Sequence, residues 1–221
     1  MRRIDVHTYP VRYAANENPG AVVVFTPDEN GMVHRCGFGA RAAVEWMTTH
    51  RRENQGDAMR GVGRALARIA DAEPDMVIVL PAHKNPAVRE AVLPALEGKQ
   101  NVIVTEPLAY GEFTRMLSLA HIVLTDSGGV QEEAPSLGKP VLVMRDNTER
   151  PEAVDAGTVT LIGTDEERIF KEVDRLLHDQ DHFDSMANAV NPYGDGRASE
   201  RTIAALAQLL NVGTRVDDFG L

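Results

Sequence analysis

Cysteine and long apolar runs are nearly absent from this chain of 221 residues. The single cysteine, Cys36, cannot form an internal disulfide, which excludes a small secreted scaffold held together by disulfides. No apolar run approaches the roughly 18–20 residues that a transmembrane helix needs. The first 20 residues also lack the apolar core of a secretory signal. We therefore expect a cytoplasmic protein that makes no contact with a membrane.

The chain also lacks an excess of positive charge. Its 23 Lys and Arg residues are outnumbered by 33 Asp and Glu residues, which gives a formal net charge of −10. The first 50 residues are neutral overall, so the negative charge lies in the rest of the chain. Because a nucleic-acid surface needs a basic stripe for its phosphate contacts, we expect no nucleic-acid partner. The apolar fraction of 43% is large enough for a folded core.

Short apolar segments alternate with amphipathic ones from about residue 55 onward. Strands that are apolar on both faces and alternate with helices are typical of a parallel sheet covered by helices on both sides. Ligands of such sheets bind at the carboxyl ends of the strands. The predicted strands are residues 76–80, 102–105, 121–125, 140–144 and 158–162. The predicted helices are residues 57–71, 86–96, 111–119, 130–137, 151–155, 165–177, 182–189 and 198–210.

The first 46 residues do not follow this alternation. Ala21–Thr26 has the composition of a strand, and the turn sequence PDENG at 27–31 could begin a hairpin that returns through Met32–Cys36. Two strands alone are only marginally stable. We therefore expect this segment either to pair with another part of the protein or to be poorly ordered.

The segment after the predicted strand HIVLT has the composition of a phosphate site. Ser127, Gly128 and Gly129 stand just before a predicted helix, where glycines allow close approach and the helix start favours an anion. Ordinary helix capping explains the same residues equally well, with Glu132 and Glu133 in the first turn. A carboxylate placed just after a phosphate cradle can also accept hydrogen bonds from a ribose diol. No Walker lysine pattern and no complete GxGxxG motif is present, which argues against an NTPase or a simple NAD-binding protein.

A second polar cluster is the sequence THRREN at 49–54. His50 is followed by two arginines, whose positive charges would keep the imidazole neutral and able to exchange a proton. The arginines could neutralise a phosphate. A solvated basic start of a helix explains these residues equally well.

Several single residues are further candidates for ligand binding or for a place in the core. His83 follows a predicted strand at its carboxyl end, and Arg145 and Arg150 follow another. Phe113 fits either the core of its helix or a stacking partner for a planar base. His121 begins a strand at the opposite edge and is interpreted as a core histidine. The histidines lack the spacing of metal ligands, so we expect no zinc.

Five motifs together resemble one family, the non-hydrolysing UDP-N-acetylglucosamine 2-epimerases. The resemblance covers residues 47–211 and implies the C-terminal domain of a GT-B fold, in which two Rossmann-like halves face each other across a cleft. We therefore divide the chain into an atypical leader (1–46), a Rossmann-like UDP-sugar-binding domain (47–211) and a C-terminal tail (212–221). The motifs are THRREN at 49–54, PAHKNP at 81–86, EPLAYGEF at 106–113, TDSGGVQEEAPSLGKPVLVMRDNTERPEA at 125–153 and NPYGDG at 191–196.

The resemblance implies which residues hold the nucleotide. Ser127, Gly128 and Gly129 would hold the diphosphate. Glu133 would accept hydrogen bonds from the ribose hydroxyls, and Phe113 would contact the uracil.

The resemblance extends to residues around the nucleotide and the sugar. Leu108 would contact the uracil through its backbone, and Arg150 would touch the nucleotide. His50 would be the active-site histidine. Arg51 and His83 resemble residues that line an adjoining site, where some bacterial members bind a second, activating UDP-GlcNAc.

The family reaction interconverts UDP-GlcNAc and UDP-ManNAc, precursors of cell-envelope polysaccharides. It removes the C2 proton, eliminates UDP to give a glycal, and adds UDP back with the proton on the other face. The resemblance implies that no metal, NAD or other cofactor is needed, and that UDP-GlcNAc, UDP-ManNAc and UDP are the ligands.

The leader departs from the family pattern. The family's first half carries a basic phosphate-binding start and acidic residues in QGDT-, HVEAG- and PEE-like segments, and residues 1–46 contain none of them. We therefore expect a truncated or frame-shifted epimerase without its N-terminal acid/base residues, which pairs as a homodimer or with a missing half in trans. The alternative is a catalytically inactive module that binds UDP or a UDP-sugar. A GT-B glycosyltransferase half is disfavoured because the motifs are those of the epimerases.

Overall fold

The computed structural model describes residues 21–25, 42–46 and 56–219, with side chains from residue 56 onward. Strands and helices alternate along most of this range. The strands are β1 (Ala21–Phe25), β2 (Ala42–Trp46), β3 (Val77–Pro81), β4 (Val102–Thr105), β5 (Val123–Thr125), β6 (Val141–Val143) and β7 (Val159–Leu161). The helices are α1 (Asp57–Ala72), α2 (Pro86–Leu96), α3 (Tyr110–Leu119), α4 (Gly128–Glu133), α5 (Pro151–Asp155), α6 (Glu166–His178), α7 (Gln180–Ala187) and α8 (Ala198–Leu209).

The described strands form one sheet in the order β4-β3-β1-β2-β5-β6-β7. All its strands run in the same direction except β1, which is antiparallel to both of its neighbours. The predicted parallel sheet with helices on both faces is therefore confirmed, and two strands that the alternation from residue 55 onward did not include, β1 and β2, are added to it. Because the other strands share one direction, their carboxyl ends lie along a single edge of the sheet.

The leader contributes the antiparallel strand. β1 covers the strand that was predicted for Ala21–Thr26, and it pairs with β2 so that Val23 lies opposite Val44. Its other neighbour is β3. The predicted return strand Met32–Cys36 lies outside the described residues. The division of the chain at residue 46 stays a prediction.

Two apolar cores cover the two faces of the sheet. The side chains of β6 alternate between them: Leu142 packs with α1, α2 and α6, whereas Val141 and Val143 pack with α3, α4 and α5, and all three are fully buried. This alternation is the period-two geometry of a strand between two layers. Helices α1 and α2 approach closely at Gly63, where an added Cβ would lie 2.9 Å from the carbonyl oxygen of Val92.

Local capping explains where several helices begin. The Asn85 side chain accepts a hydrogen bond from the backbone N–H of Ala87 at 3.1 Å, and Pro86 occupies the first helical position of α2. Proline is favourable there because the missing N–H would have no partner within the helix. The Asp165 side chain accepts from the N–H of Arg168 at 2.9 Å and caps α6 in the same way.

Helix α8 differs from the other long helices because none of its residues is buried. Its large apolar side chains are 53–76% exposed, namely Ile203, Leu206 and Leu209. No helix within the described part of the chain is long and apolar enough to cross a bilayer.

Candidate functional site

The carboxyl edge of the sheet gathers the loops in which the sequence predicted a site. Thr125 at the end of β5 lies beside Val143 of β6 and Trp46 of β2. The chain therefore leaves β2, β5 and β6 at neighbouring points. His50 and Arg51 follow β2 by a few residues, but they lie outside the described residues and their predicted roles stay predictions.

The loop after β5 turns directly into α4. The backbone of Ser127 is extended and its N–H donates to the Thr125 hydroxyl at 2.9 Å. The Ser127 side chain does not cap the helix, and α4 begins at Gly128, two residues earlier than predicted. Glu132 and Glu133 consequently lie in the last turn rather than the first. The capping interpretation is therefore wrong for these residues.

Arg150 lies directly against the glycine pair. A Cβ added to Gly128 would be 2.5 Å from Nη1 of Arg150, so the guanidinium packs on the bare α-carbon. Nε of Arg150 donates to Oε1 of Glu132 at 2.5 Å, and Glu149 lies 3.7 Å from Nη1. The structure thus brings a cation to the start of α4. A side chain at position 128 would displace it.

A buried hydrogen-bond network holds the Arg150 loop on α4. The Gln131 side chain is fully buried and donates to the carbonyl of Ser127 at 3.1 Å. The Thr148 hydroxyl donates to Oε1 of Gln131 at 2.7 Å and accepts from the N–H of Arg150 at 3.1 Å. Buried polar groups with complete hydrogen bonding fix one arrangement of a site. This network therefore sets where Arg150 lies relative to the glycines.

Glu133 faces Gly129 from the last turn of α4. A Cβ added to Gly129 would meet nothing closer than Oε1 of Glu133, at 4.0 Å. The hydroxyl of Tyr110 donates to Oε2 of Glu133 at 3.3 Å. Burial raises the pKa of Glu133, the Tyr110 hydrogen bond opposes this, and the negative charge of Glu132 raises the pKa further.

The two apolar candidates are built into the core beneath the site. Phe113 is 2% exposed and belongs to the core that α3, α4 and α5 share, while Leu108 packs against the same core. The structure therefore shows Phe113 in the core position that one interpretation expected. Contact of Phe113 and Leu108 with a uracil stays a prediction.

His83 lies in a separate polar cluster. Its Nδ1 accepts from the N–H of Asn85 at 3.0 Å, and its carbonyl accepts from Nε of Arg89 at 3.0 Å. Arg89 also binds Glu106 at 2.8 Å. Two strands separate β3 from β5, so His83 and the glycine pair are not brought together. A role for His83 in a second ligand site stays a prediction.

Two other candidate residues, Arg145 and His121, make contacts within the protein. Arg145 is 8% exposed, and its guanidinium lies 3.8 Å from Glu149. The ring of His121 stacks on Phe183 with centroids 4.1 Å apart at the opposite edge of the sheet. His121 is half-buried and lies two residues before β5, so it stacks at the margin of the core and does not begin the strand as predicted.

Sequence reasoning assigned no role to several residues that shape this site. Tyr110, Gln131 and Thr148 act through hydrogen bonds that depend on how the loops fold together. Tyr193, within the NPYGDG motif, packs against the core beneath α4. The sequence analysis included Tyr193 in the NPYGDG motif, but the residues of that motif did not indicate a role for it.

One grouping of carboxylate and imidazole side chains within residues 56–219 lies at the opposite, amino-terminal edge of the sheet. Nε2 of His178 is 2.9 Å from Glu73 and 3.6 Å from Asp174. A hydrogen bond between His178 and Glu73 accounts for this arrangement. The expectation that the protein needs no metal stays a prediction.

Comparison with known proteins gives consistent matches. The family model described as UDP-N-acetylglucosamine 2-epimerase matches residues 29–207. The UDP-N-acetylglucosamine 2-epimerase of Escherichia coli K12 is 54% identical over 160 residues, which cover 72% of this chain and 43% of that protein. The chain thus spans less than half the length of this relative.

Solved structures match over the same region. The crystal structure of UDP-GlcNAc 2-epimerase from Neisseria meningitidis bound to UDP-GlcNAc has a TM-score of 0.67 and 45% identity, and the match covers 72% of this chain and 43% of that one. The Methanocaldococcus jannaschii enzyme in complex with UDP-GlcNAc and UDP has a TM-score of 0.58 and 31% identity, again over 72% of this chain and 43% of that one.

Proposed function

The chain belongs to the UDP-N-acetylglucosamine 2-epimerase family, and from this membership we propose that its sheet edge binds the UDP part of the family's nucleotide sugar. Ser127, Gly128 and Gly129 hold the diphosphate, and Arg150 supplies the opposite charge. The observation that carries this proposal is the position of the Arg150 guanidinium on the α-carbon of Gly128. Guanidinium groups bind phosphate through two parallel hydrogen bonds, which makes arginine well suited to this place.

The charge of the molecule makes this local arrangement necessary. With a net charge of −10, the protein as a whole repels a dianionic diphosphate. Helix α4 begins at Gly128, so its first N–H groups, which include those of the glycine pair, have no partners within the helix. Because Arg150 is paired with Glu132, these N–H groups and the guanidinium offer a diphosphate hydrogen-bond donors at one position of the edge rather than an excess of positive charge.

The remaining roles are those that the family resemblance implies. Glu133 lies beyond Gly129 and accepts hydrogen bonds from the ribose hydroxyls. Leu108 and Phe113 lie on the side of the uracil, with Leu108 contacting the base through its backbone. His50 serves as the active-site histidine.

Further proposed roles extend beyond the nucleotide. Arg51 and His83 line an adjoining second site for the nucleotide sugar. Apart from His50, the acid/base groups that the family resemblance implies have no matching motif in this chain. We therefore propose nucleotide binding, and not conversion, as the function of this polypeptide acting alone.

Titration of the full chain with UDP by isothermal calorimetry tests the binding proposal, and Gly129→Ala is the decisive variant. The protein has room for this Cβ, because its nearest neighbour is 4.0 Å away. Folding should therefore be unaffected, whereas the methyl group occupies space that a phosphate needs. We expect UDP affinity to fall by about tenfold or more, which corresponds to about 1.4 kcal/mol.

Gly111→Ala is the matched control. An added Cβ at this helical position of α3 also meets nothing within 4 Å, and no nucleotide contact is proposed there. Its UDP affinity should match that of the wild type, and its melting temperature should be the same or higher because alanine has the higher helix propensity. Absence of a binding signal in the wild type, or equal affinities in the two alanine variants, would contradict the proposal.

A further inference from the structure

The hydroxyl of Tyr193 stands out in the part of the chain that the structure describes. Its oxygen is buried and makes no hydrogen bond. Buried polar groups nearly always have partners, and one that lacks a partner lowers the stability of the fold. An unpartnered group of this kind, close to a binding site, calls for an explanation in terms of that site.

The backbone around Tyr193 is tied to α4. The Asn191 side chain donates to the Ser136 hydroxyl at 2.6 Å and to the carbonyl of Glu132 at 3.4 Å. Its oxygen accepts from the N–H of Tyr193 at 3.2 Å. The ring packs against the core that contains Val130. Because backbone and ring are both held, the hydroxyl cannot reach solvent without disrupting this packing.

The hydrogen bond from Asn191 to the Glu132 carbonyl brings the loop of Tyr193 against the residue that binds Arg150. Burial raises the pKa of Tyr193, the negative charges of Glu152 and Glu132 raise it further, and Arg150 opposes them. The hydroxyl therefore remains a protonated donor at neutral pH. The Glu132 carboxylate is held on Arg150 by a hydrogen bond of 2.5 Å and makes none to Tyr193.

We propose that Tyr193 is a positioning residue whose hydroxyl donates a hydrogen bond to the Glu132 carboxylate when a nucleotide diphosphate engages Arg150. The guanidinium then turns its hydrogen bonds from the Glu132 carboxylate to the phosphate oxygens. The Tyr193 hydroxyl donates to the carboxylate that Arg150 has released. The hydroxyl gains a partner only in the bound state, so its contribution stabilises the complex and not the free protein. This inference rests on the proposed function and deepens it.

The variant Tyr193→Phe tests the exchange because it removes only the hydroxyl. We expect the free protein to melt at the same or a higher temperature, since a group without a partner has been removed. We expect the Kd for UDP to rise about tenfold, the size of one hydrogen bond to a charged group. Ser118→Ala, which removes an exposed hydroxyl near the end of α3, should change neither value.

A double-mutant cycle with Glu132→Ala identifies the partner. In that background the Tyr193→Phe change should leave UDP affinity unchanged, because the acceptor has gone. If wild type does not bind UDP, the proposed function itself is wrong. If wild type binds and Tyr193→Phe binds equally well, this inference alone is overturned. A lower melting temperature of Tyr193→Phe, or an equal loss of affinity with and without Glu132, would also overturn it.

Discussion

Glu133 is a carboxyl group in surroundings that disfavour its charge. Burial raises its pKa above the ordinary value of 4.5; Tyr110 opposes the shift, and Glu132 adds to it. Because the folded-state pKa is the higher one, protonation favours the folded state. This contribution to stability is fully present below the unfolded-state pKa and is lost as the pH rises through the folded-state pKa. A carboxylate that is ionised at a cost in folding stability is typical of a site that needs a charged hydrogen-bond acceptor.

Glu133→Gln should separate stability from binding. The amide cannot ionise, so we expect the variant to melt at the same or a higher temperature than wild type at about pH 8, with a smaller advantage near pH 5. Its UDP affinity should fall about tenfold, because a charged acceptor is replaced by a neutral one. Thermal unfolding at both pH values and calorimetric titration measure the two effects.

Glu112→Gln is the control for this charge change, because Glu112 is an exposed carboxyl group on α3. It should alter neither the pH dependence of unfolding nor the affinity for UDP. A Glu133→Gln protein that is less stable than wild type at the higher pH would contradict our account of this residue.

The grouping of Ser127, Gly128 and Arg150 could be predicted because strand ends share one edge of a parallel sheet. The hydrogen bonds that fix the group could not. Thr148 binds Gln131 across 17 positions of sequence, and this pairing depends on side-chain rotamers in a loop without periodicity. Sequence patterns therefore locate the site, whereas its geometry is set by tertiary contacts.

At the scale of the elements, apolar periodicity predicted the strands and helices from residue 57 onward within a few residues. The largest revision is at α4, which starts at Gly128 and ends at Glu133, followed by a 3-10 turn at Pro135–Leu137. Glycine has low helix propensity, and Pro135 lacks the N–H that would extend the helix. Tertiary packing, including the buried Gln131, outweighs the glycine penalty.

Helix α8 presents its apolar side chains to solvent, and we expect the protein to associate as its concentration rises. The double variant Leu206→Glu/Leu210→Lys replaces Leu206 of α8 and the exposed Leu210 directly after the helix with an ion pair at the favourable i,i+4 spacing. It should reduce association several-fold without lowering the melting temperature, because neither side chain is buried. Sedimentation velocity over a concentration series measures the change.

Gln208→Glu, an exposed position on the other side of α8, is the control and should leave association unchanged. If the double variant and the wild type associate equally, the apolar side chains of α8 are not the cause of self-association.

At the scale of the whole molecule, the matched region corresponds to 43% of the Escherichia coli relative. Epimerisation requires a base and an acid on opposite faces of C2, and such groups contribute about 10²–10⁴-fold each to a rate. We expect the chain alone to convert UDP-GlcNAc to UDP-ManNAc at least about a hundredfold more slowly than that relative. Product formation followed by NMR, with the relative assayed in parallel, measures this rate.

His50→Ala supplies the baseline for the conversion assay. We expect wild type to be no faster than this variant, even where UDP binding is measurable. Conversion by wild type at a rate near that of the relative would contradict the proposal that this chain acts as a binding module.

The position of β1 was the part of the fold that the sequence could not predict. Ala21–Phe25 has the composition of a strand, but composition does not specify a partner. Of its neighbours, β3 was expected to belong to a parallel sheet, whereas β2 at Ala42–Trp46 was not predicted as a strand. An antiparallel strand between them depends on non-local pairing, which no local pattern encodes.

The central position of β1 and β2 has a consequence for the order of folding. They precede the other described strands in the chain, yet β2 must pair with β5. Val44 therefore cannot pair until Val123 has been synthesised. A nascent chain that has emerged only as far as α3 therefore holds an open strand edge in the middle of its future sheet. Loop closure over such a separation is slow, and exposed strand edges favour contacts between chains during that interval. Synthesis of β5 is thus the earliest point at which this edge can be closed.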